Sequence, residues 1–168
     1  LFAIDNDITT DWQKAVLRNG RQRSLQGGLS GSSPDTRYAL SGNYFGQDGM
    51  VPGQGYTRGS AFGSVDHTAR RLHFGVSANA SRINTDMGEG GAAYGYALAM
   101  TPLGQPYNYM NPDSSALLDP RPDDDPLSIN PVLEAQSVTR QQVVNRVFGS
   151  AFAELQLADG LTWRTNFG

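Results

Sequence analysis

The chain has 168 residues, with no Cys, 20 Gly and 9 Pro. That length suits one ordinary domain, and the composition excludes disulfide scaffolds, thiolate metal centres and thiol nucleophiles. Only 17% of residues are charged, the formal net charge is -3 and Lys14 is the single lysine, so nucleic acid is not an expected partner. Mean hydropathy is -0.43. The missing charge is therefore replaced by Gly, Ser, Asn, Gln and Thr, a composition that favours many short strands. No secretory signal precedes an apolar stretch, and no run reaches the roughly 18 apolar residues of a membrane helix. The last residues, Leu161 to Gly168, read as a strand cut off in mid-course, so the chain is expected to be a segment of something longer.

In chain order, residues 1–20 read as an irregular lead-in, with a short helix capped by Thr10 or Asp11 and ending near Gly20. The period then becomes two. Leu25, Gly27 and Leu29 alternate with Ser24, Gln26, Gly28 and Ser30, and a turn follows at residues 31–35. The second strand runs from about Thr36 to Gly46, with Tyr38, Leu40 and Tyr44 on one face and Arg37, Ser41 and Asn43 on the other. A longer connection, Gln47 to Gly55, leads to a third strand over about Tyr56 to His67. There Phe62 joins the polar side. A tight turn then opens the clearest strand, in which Leu72, Phe74, Val76, Ala78 and Ala80 alternate with His73, Gly75, Ser77, Asn79 and Ser81.

Residues 85–139 read as one long loop rich in proline, with a Gly-rich start, a helical turn or two through Tyr94 to Met100, and the acidic run Asp123-Asp124-Asp125. The fifth strand spans about Gln141 to Leu157, with Phe148 and Phe152 on its polar side. The turn at Ala158-Asp159-Gly160 starts the last strand, where Leu161, Trp163 and Phe167 share a face.

Connections alternate short, long, short, very long, short, as in outer-membrane barrels, whose turns are short on the periplasmic side and long outside. One strand face suits lipid and the other a wet lumen. Tyr38, Tyr44, Phe74, Trp163 and Phe167 are candidates for aromatic girdles. The expected fold is all-β: an antiparallel meander of about six strands, part of a large transmembrane β-barrel, with one long extracellular loop. Residues 21–84 would supply four barrel strands in two hairpins, 85–139 the loop, and 140–168 two more strands. A soluble β-sandwich alternates with the same period and stays open as the alternative, as a carbohydrate-binding module.

The order of local phrases resembles a known family. Asp11-Trp12-Gln13, Ser24 to Gly31, Thr36 to Gly49, Arg58 to Asp66, Gly75 to Ser81, Thr101 to Asn108, Asn130-Pro131 and Gly160 to Gly168 together resemble the SusC/RagA family of TonB-linked outer-membrane proteins. Their order and spacing carry the likeness, over about residues 10–168. The resemblance implies a plugged 22-stranded barrel in the bacterial outer membrane that imports oligosaccharides or peptides. It also implies TonB and a SusD-like lipoprotein as partners, through parts outside this chain. The small-residue third strand (Gly59, Ala61, Gly63) departs from the usual lipid face and leaves its register open.

No catalytic constellation emerges, so no enzyme activity and no cofactor are expected. His67 and His73 flank one turn but need not share a face. The Gly-rich stretches lack the Lys-Ser/Thr of a phosphate loop, and no nucleophile elbow is present. Asp123, Asp124 and Asp125 are Ca²⁺ candidates whose spacing fits no EF-hand; a solvated acidic loop is the plainer reading. Tyr94, Tyr96, Tyr107 and Tyr109 of the loop are the ligand-binding candidates, because flat amphipathic rings stack on sugars or pack a peptide.

Overall fold

Period-two alternation governs most of the chain, and it folds as that pattern dictates. The computed structural model describes residues 9–107, 118–120, 122 and 127–168. Six strands form one sheet in sequence order: β1 Arg21–Ser32, β2 Thr36–Asp48, β3 Gly55–Ala69, β4 Leu72–Asp86, β5 Gln141–Ala158 and β6 Leu161–Phe167. The sheet is an open antiparallel meander, and the described residues hold no second sheet. Strand bounds lie within a few residues of those expected from the alternation.

Three connections are tight, and each has a local cause. Between β1 and β2, Ser33 donates to the Thr36 carbonyl (2.7 Å), and the Thr36 N–H donates back to Ser33 Oγ (3.1 Å). Between β3 and β4, Arg70 adopts φ 50°, the left-handed conformation that a two-residue hairpin needs. Between β5 and β6, Gly160 takes φ 79° without a Cβ to strain. A register shift between Gln156 and Ala158 lets β5 enter this last turn.

The described residues divide into two compact units. One comprises Gln22–Gly46, Thr57–Asn84 and Val143–Gly168, and holds most of the sheet. The other comprises the described residues among 1–21, 47–56 and 85–142. Among the described residues this second unit contains three helices: α1 Trp12–Val16, α2 Gly90–Ala99 and α3 Pro131–Ser137. Asp11 caps α1, its Oδ1 accepting from the Lys14 N–H at 3.0 Å. The helical turn expected from Tyr94 begins earlier, at Gly90, and α3 was not expected. Trp12, Val16, Val51, Ala93, Ala97, Val132 and Ala135 pack together as its core. Alanine on α2 and α3 lets these short helices approach closely around the Trp12 ring.

Candidate functional site

The sheet presents two chemically distinct faces, and cross-strand contacts assign residues to each. Leu40 reaches Gly63, and Tyr38 lies over Gly31, so both neighbours share the apolar face of β2. Leu155 is paired with Trp163, and Ala151 with Phe167. This face is bare: Leu29, Leu40, Val76, Val147, Trp163 and Phe167 are all more than half exposed. A row of branched and aromatic side chains that a water-soluble sheet would seal under a second layer stands uncovered by any second sheet.

The opposite face is polar and hydrogen-bonded across strands. Ser60 donates to Asn43 Oδ1 at 2.8 Å, and the Ser77 and Ser150 hydroxyls meet at 2.8 Å. Arg164 pairs with Glu154 at 3.9 Å and lies over the Phe152 ring, 5.3 Å from its centroid. His73 meets Phe152 edge-on at 4.9 Å, and Phe152 covers Gly75. Phe62, Phe148 and Phe152 thus occupy the polar face, as the alternation indicates.

The two histidines point to opposite faces. His73 belongs to the polar face, whereas His67 stacks on Phe74 at 5.5 Å on the apolar one. The Thr36 hydroxyl meets His67 Nδ1 at 2.8 Å. A shared metal ion is therefore sterically excluded for this pair, and among the described residues no group of three His, Asp or Glu is poised to hold one.

The same contacts set the strand stagger. Thr36 with His67 and Asn43 with Ser60 fix β2 against β3; Ser77 with Ser150 and Gln156 N–H to Arg71 O (2.9 Å) fix β4 against β5. In that register Tyr38 is level with Val76, and Phe74 stands two residues nearer the turn. Phe74 is level with Ala153, and Trp163, opposite Leu155, stands two residues nearer again. Two residues of shift per two strands is about 7 Å along for about 10 Å across, so a tilt of about 35° would bring these positions level. Closed barrels require strand tilts of roughly 35–45°.

In the helical unit, Asn130 is fully buried and organises its surroundings. Its Nδ2 donates to the carbonyls of Pro106 (2.8 Å) and Asp119 (2.6 Å), while Oδ1 accepts from the N–H groups of Val132 (2.9 Å) and Leu133 (3.3 Å). The Trp12 indole donates to Thr101 O at 2.7 Å, and Thr10 Oγ1 to Gly104 O at 2.6 Å. These bonds pack the described part of the long proline-rich connection into the helical unit. Beside it lies a cleft of about 410 Å³ whose lining includes Arg18, Asp48, Gln54, Asp86 and Arg140. Arg140 is paired with Glu89 at 3.3 Å, and Asp86 accepts from Gln141 Nε2 at 3.0 Å.

The structure does not gather the tyrosine candidates into one site. Tyr94 and Tyr96 both lie on α2, two residues apart and so on different sides of it. Tyr94 is exposed and Tyr96 half-buried, and Tyr107 is half-buried in an isolated bridge with Leu118. None of these three lines the cleft. Tyr109 and the Ca²⁺ candidates Asp123, Asp124 and Asp125 lie outside the described residues. No helix among the described residues is long and apolar enough to cross a membrane, which has no bearing on crossing by strands.

No protein-family model matches the chain. A curated relative, TonB-dependent receptor P3 of Formosa agariphila, is 26% identical over 172 residues, covering 98% of this chain and 17% of the relative. The chain is related to a TonB-dependent receptor. It spans about 17% of the length of that relative, so the likeness concerns one section of a much larger protein.

The cleft and Asn130 escaped the reading by motif for different reasons. The cleft is assembled from four separate stretches of chain, so no local spacing announces it. Asn130-Pro131 does carry a local signal, an N-cap residue followed by Pro at the first helical position. Asn130→Ala is expected to weaken the helical unit by roughly 2–3 kcal/mol, from one lost cap and two abandoned carbonyls. Asn130→Asp keeps the cap acceptor yet sets a carboxylate against the carbonyls of Pro106 and Asp119, and should fall at least as far. Hydrogen exchange across α3 reads both.

Proposed function

We propose that this chain is a wall section of a TonB-dependent outer-membrane importer of the SusC/RagA type, taking up oligosaccharides or peptides. The observation that carries it is the single-layer sheet whose apolar face is left bare while its other face is polar and cross-bonded. The about 35° stagger and the relation to a TonB-dependent receptor support the same reading. The strands form barrel wall, with apolar residues toward lipid and Ser, Asn, Arg and Glu toward the lumen. The helical unit takes part in capturing ligand outside, with Tyr94, Tyr96, Tyr107 and Tyr109 as contacts. TonB and a SusD-like lipoprotein act through other parts of the importer.

Trp163 supplies the test, because it is 53% exposed on the apolar face whereas Trp12 is 3% exposed in the helical core. In vesicles with brominated acyl chains, Trp163 fluorescence should be quenched several-fold while Trp12 keeps its intensity; Trp163→Phe separates the two signals. Unquenched Trp163 in a folded chain that is monomeric without detergent would instead support the soluble sandwich.

A further inference from the structure

We propose that the short-turn margin of the apolar face binds anionic phospholipid headgroups, with Arg70 and Arg71 taking the lipid phosphates; this rests on the wall reading above. Three observations converge on that margin.

The first is a belt. Tyr38, Phe74 and Trp163 are each the third residue of a strand that leaves a tight turn. The stagger described above steps them by two residues every second strand, so tilted strands bring all three rings to one height. Amphipathic aromatic rings concentrate where hydrocarbon meets headgroup.

The second is a change of polarity where β2 and β3 reach their turns. Away from the turns, next to this belt, stand Leu40, Val65 and Val76. Turnward of it, the same face of β2 and β3 carries Thr36 and His67. The Thr36 hydroxyl and His67 Nδ1 satisfy one another at 2.8 Å, and His67 keeps its ring against Phe74. Polar groups on a lipid-facing surface are tolerated where the hydrocarbon ends.

The third is charge. Arg70 and Arg71 form the β3–β4 turn, both exposed. Among the described residues no carboxylate stands within ion-pair distance of either, although the neighbouring turns carry Asp35 and Asp159. Leu72, the next residue, is level with Leu155, which pairs with Trp163. The backbone beside these two arginines therefore lies about two strand spacings, roughly 10 Å, from that of Trp163, within reach of long, flexible side chains. A guanidinium fork is matched to phosphate oxygens and holds them bidentately.

The test uses the whole chain in phosphatidylcholine vesicles doped with brominated phosphatidylglycerol, and in the converse vesicles with the bromine on phosphatidylcholine. Trp163 should report phosphatidylglycerol enriched about five-fold over its bulk share, and Arg70→Gln/Arg71→Gln should bring that to parity. Arg70→Lys/Arg71→Lys should keep most of the preference, which shows that the turn still folds. Quenching by both lipids in bulk proportion, unchanged in the Gln variant, would overturn the phosphate site and leave the wall intact. Absence of quenching by either lipid would overturn the wall reading itself.

Discussion

Trp12→Ala should melt the helical unit. Trp12 is the largest side chain of a buried core otherwise made of valine and alanine, with the part-buried Leu17, Met100 and Leu118 packed against it. Truncating a buried Trp removes about 3–5 kcal/mol, and here the Thr101 carbonyl also loses its donor. Val16, Ala93, Ala97, Val132 and Ala135 have no second core to fall back on. Hydrogen exchange over α1, α2 and α3 should rise together by two orders of magnitude or more. Trp12→Phe keeps most of the apolar area, loses the bond, and should retain most protection. If Trp12→Ala leaves exchange in α2 and α3 unchanged, the helices do not depend on this core.

That core also marks how far the sequence could be read. The strands were legible because alternation is local: Leu72 through Ser81 alone states which side chains face which way. Turn chemistry was legible for the same reason, in Ser33-Pro34-Asp35 and Asp159-Gly160. Register was not, since it depends on which Ser meets which Ser across the gap, and Ser77 sits 73 residues from Ser150. The long connection reads as a loop because its helices are short and its core residues are small and far apart. Val51 belongs to a different connection from Val132, and nothing in the spacing says that they meet. The tyrosines stand out by residue type, but type does not converge them: two positions along α2 turn Tyr94 and Tyr96 apart.

The bare sheet face yields the other large effect. Val76 is 53% exposed on that face, inside β4 and away from both its ends. In water an exposed Val→Arg change is close to neutral, within about 0.5 kcal/mol. Within a bilayer the same arginine must bury its charge in hydrocarbon or drag water in after it, at about 2–4 kcal/mol near the midplane and about 0–1 kcal/mol at the interface, so that Val76, one step in from the Phe74 belt, should cost about 1–2 kcal/mol. Val76→Arg should therefore lower the unfolding free energy of the chain in lipid vesicles by that amount, read as a lower denaturant midpoint. Two companions make the result specific. Asn79→Arg lies on the polar face of the same strand and should shift the midpoint little. Leu72→Arg lies at the turn margin, where the headgroup region begins, and should cost about 0–1 kcal/mol. A graded loss, large at Val76, small at Leu72 and smaller at Asn79, maps a hydrocarbon layer onto one face of the sheet. Equal losses at Val76 and Asn79 would mean that both faces meet the same solvent, and the lipid assignment of the face would fall with the gradient.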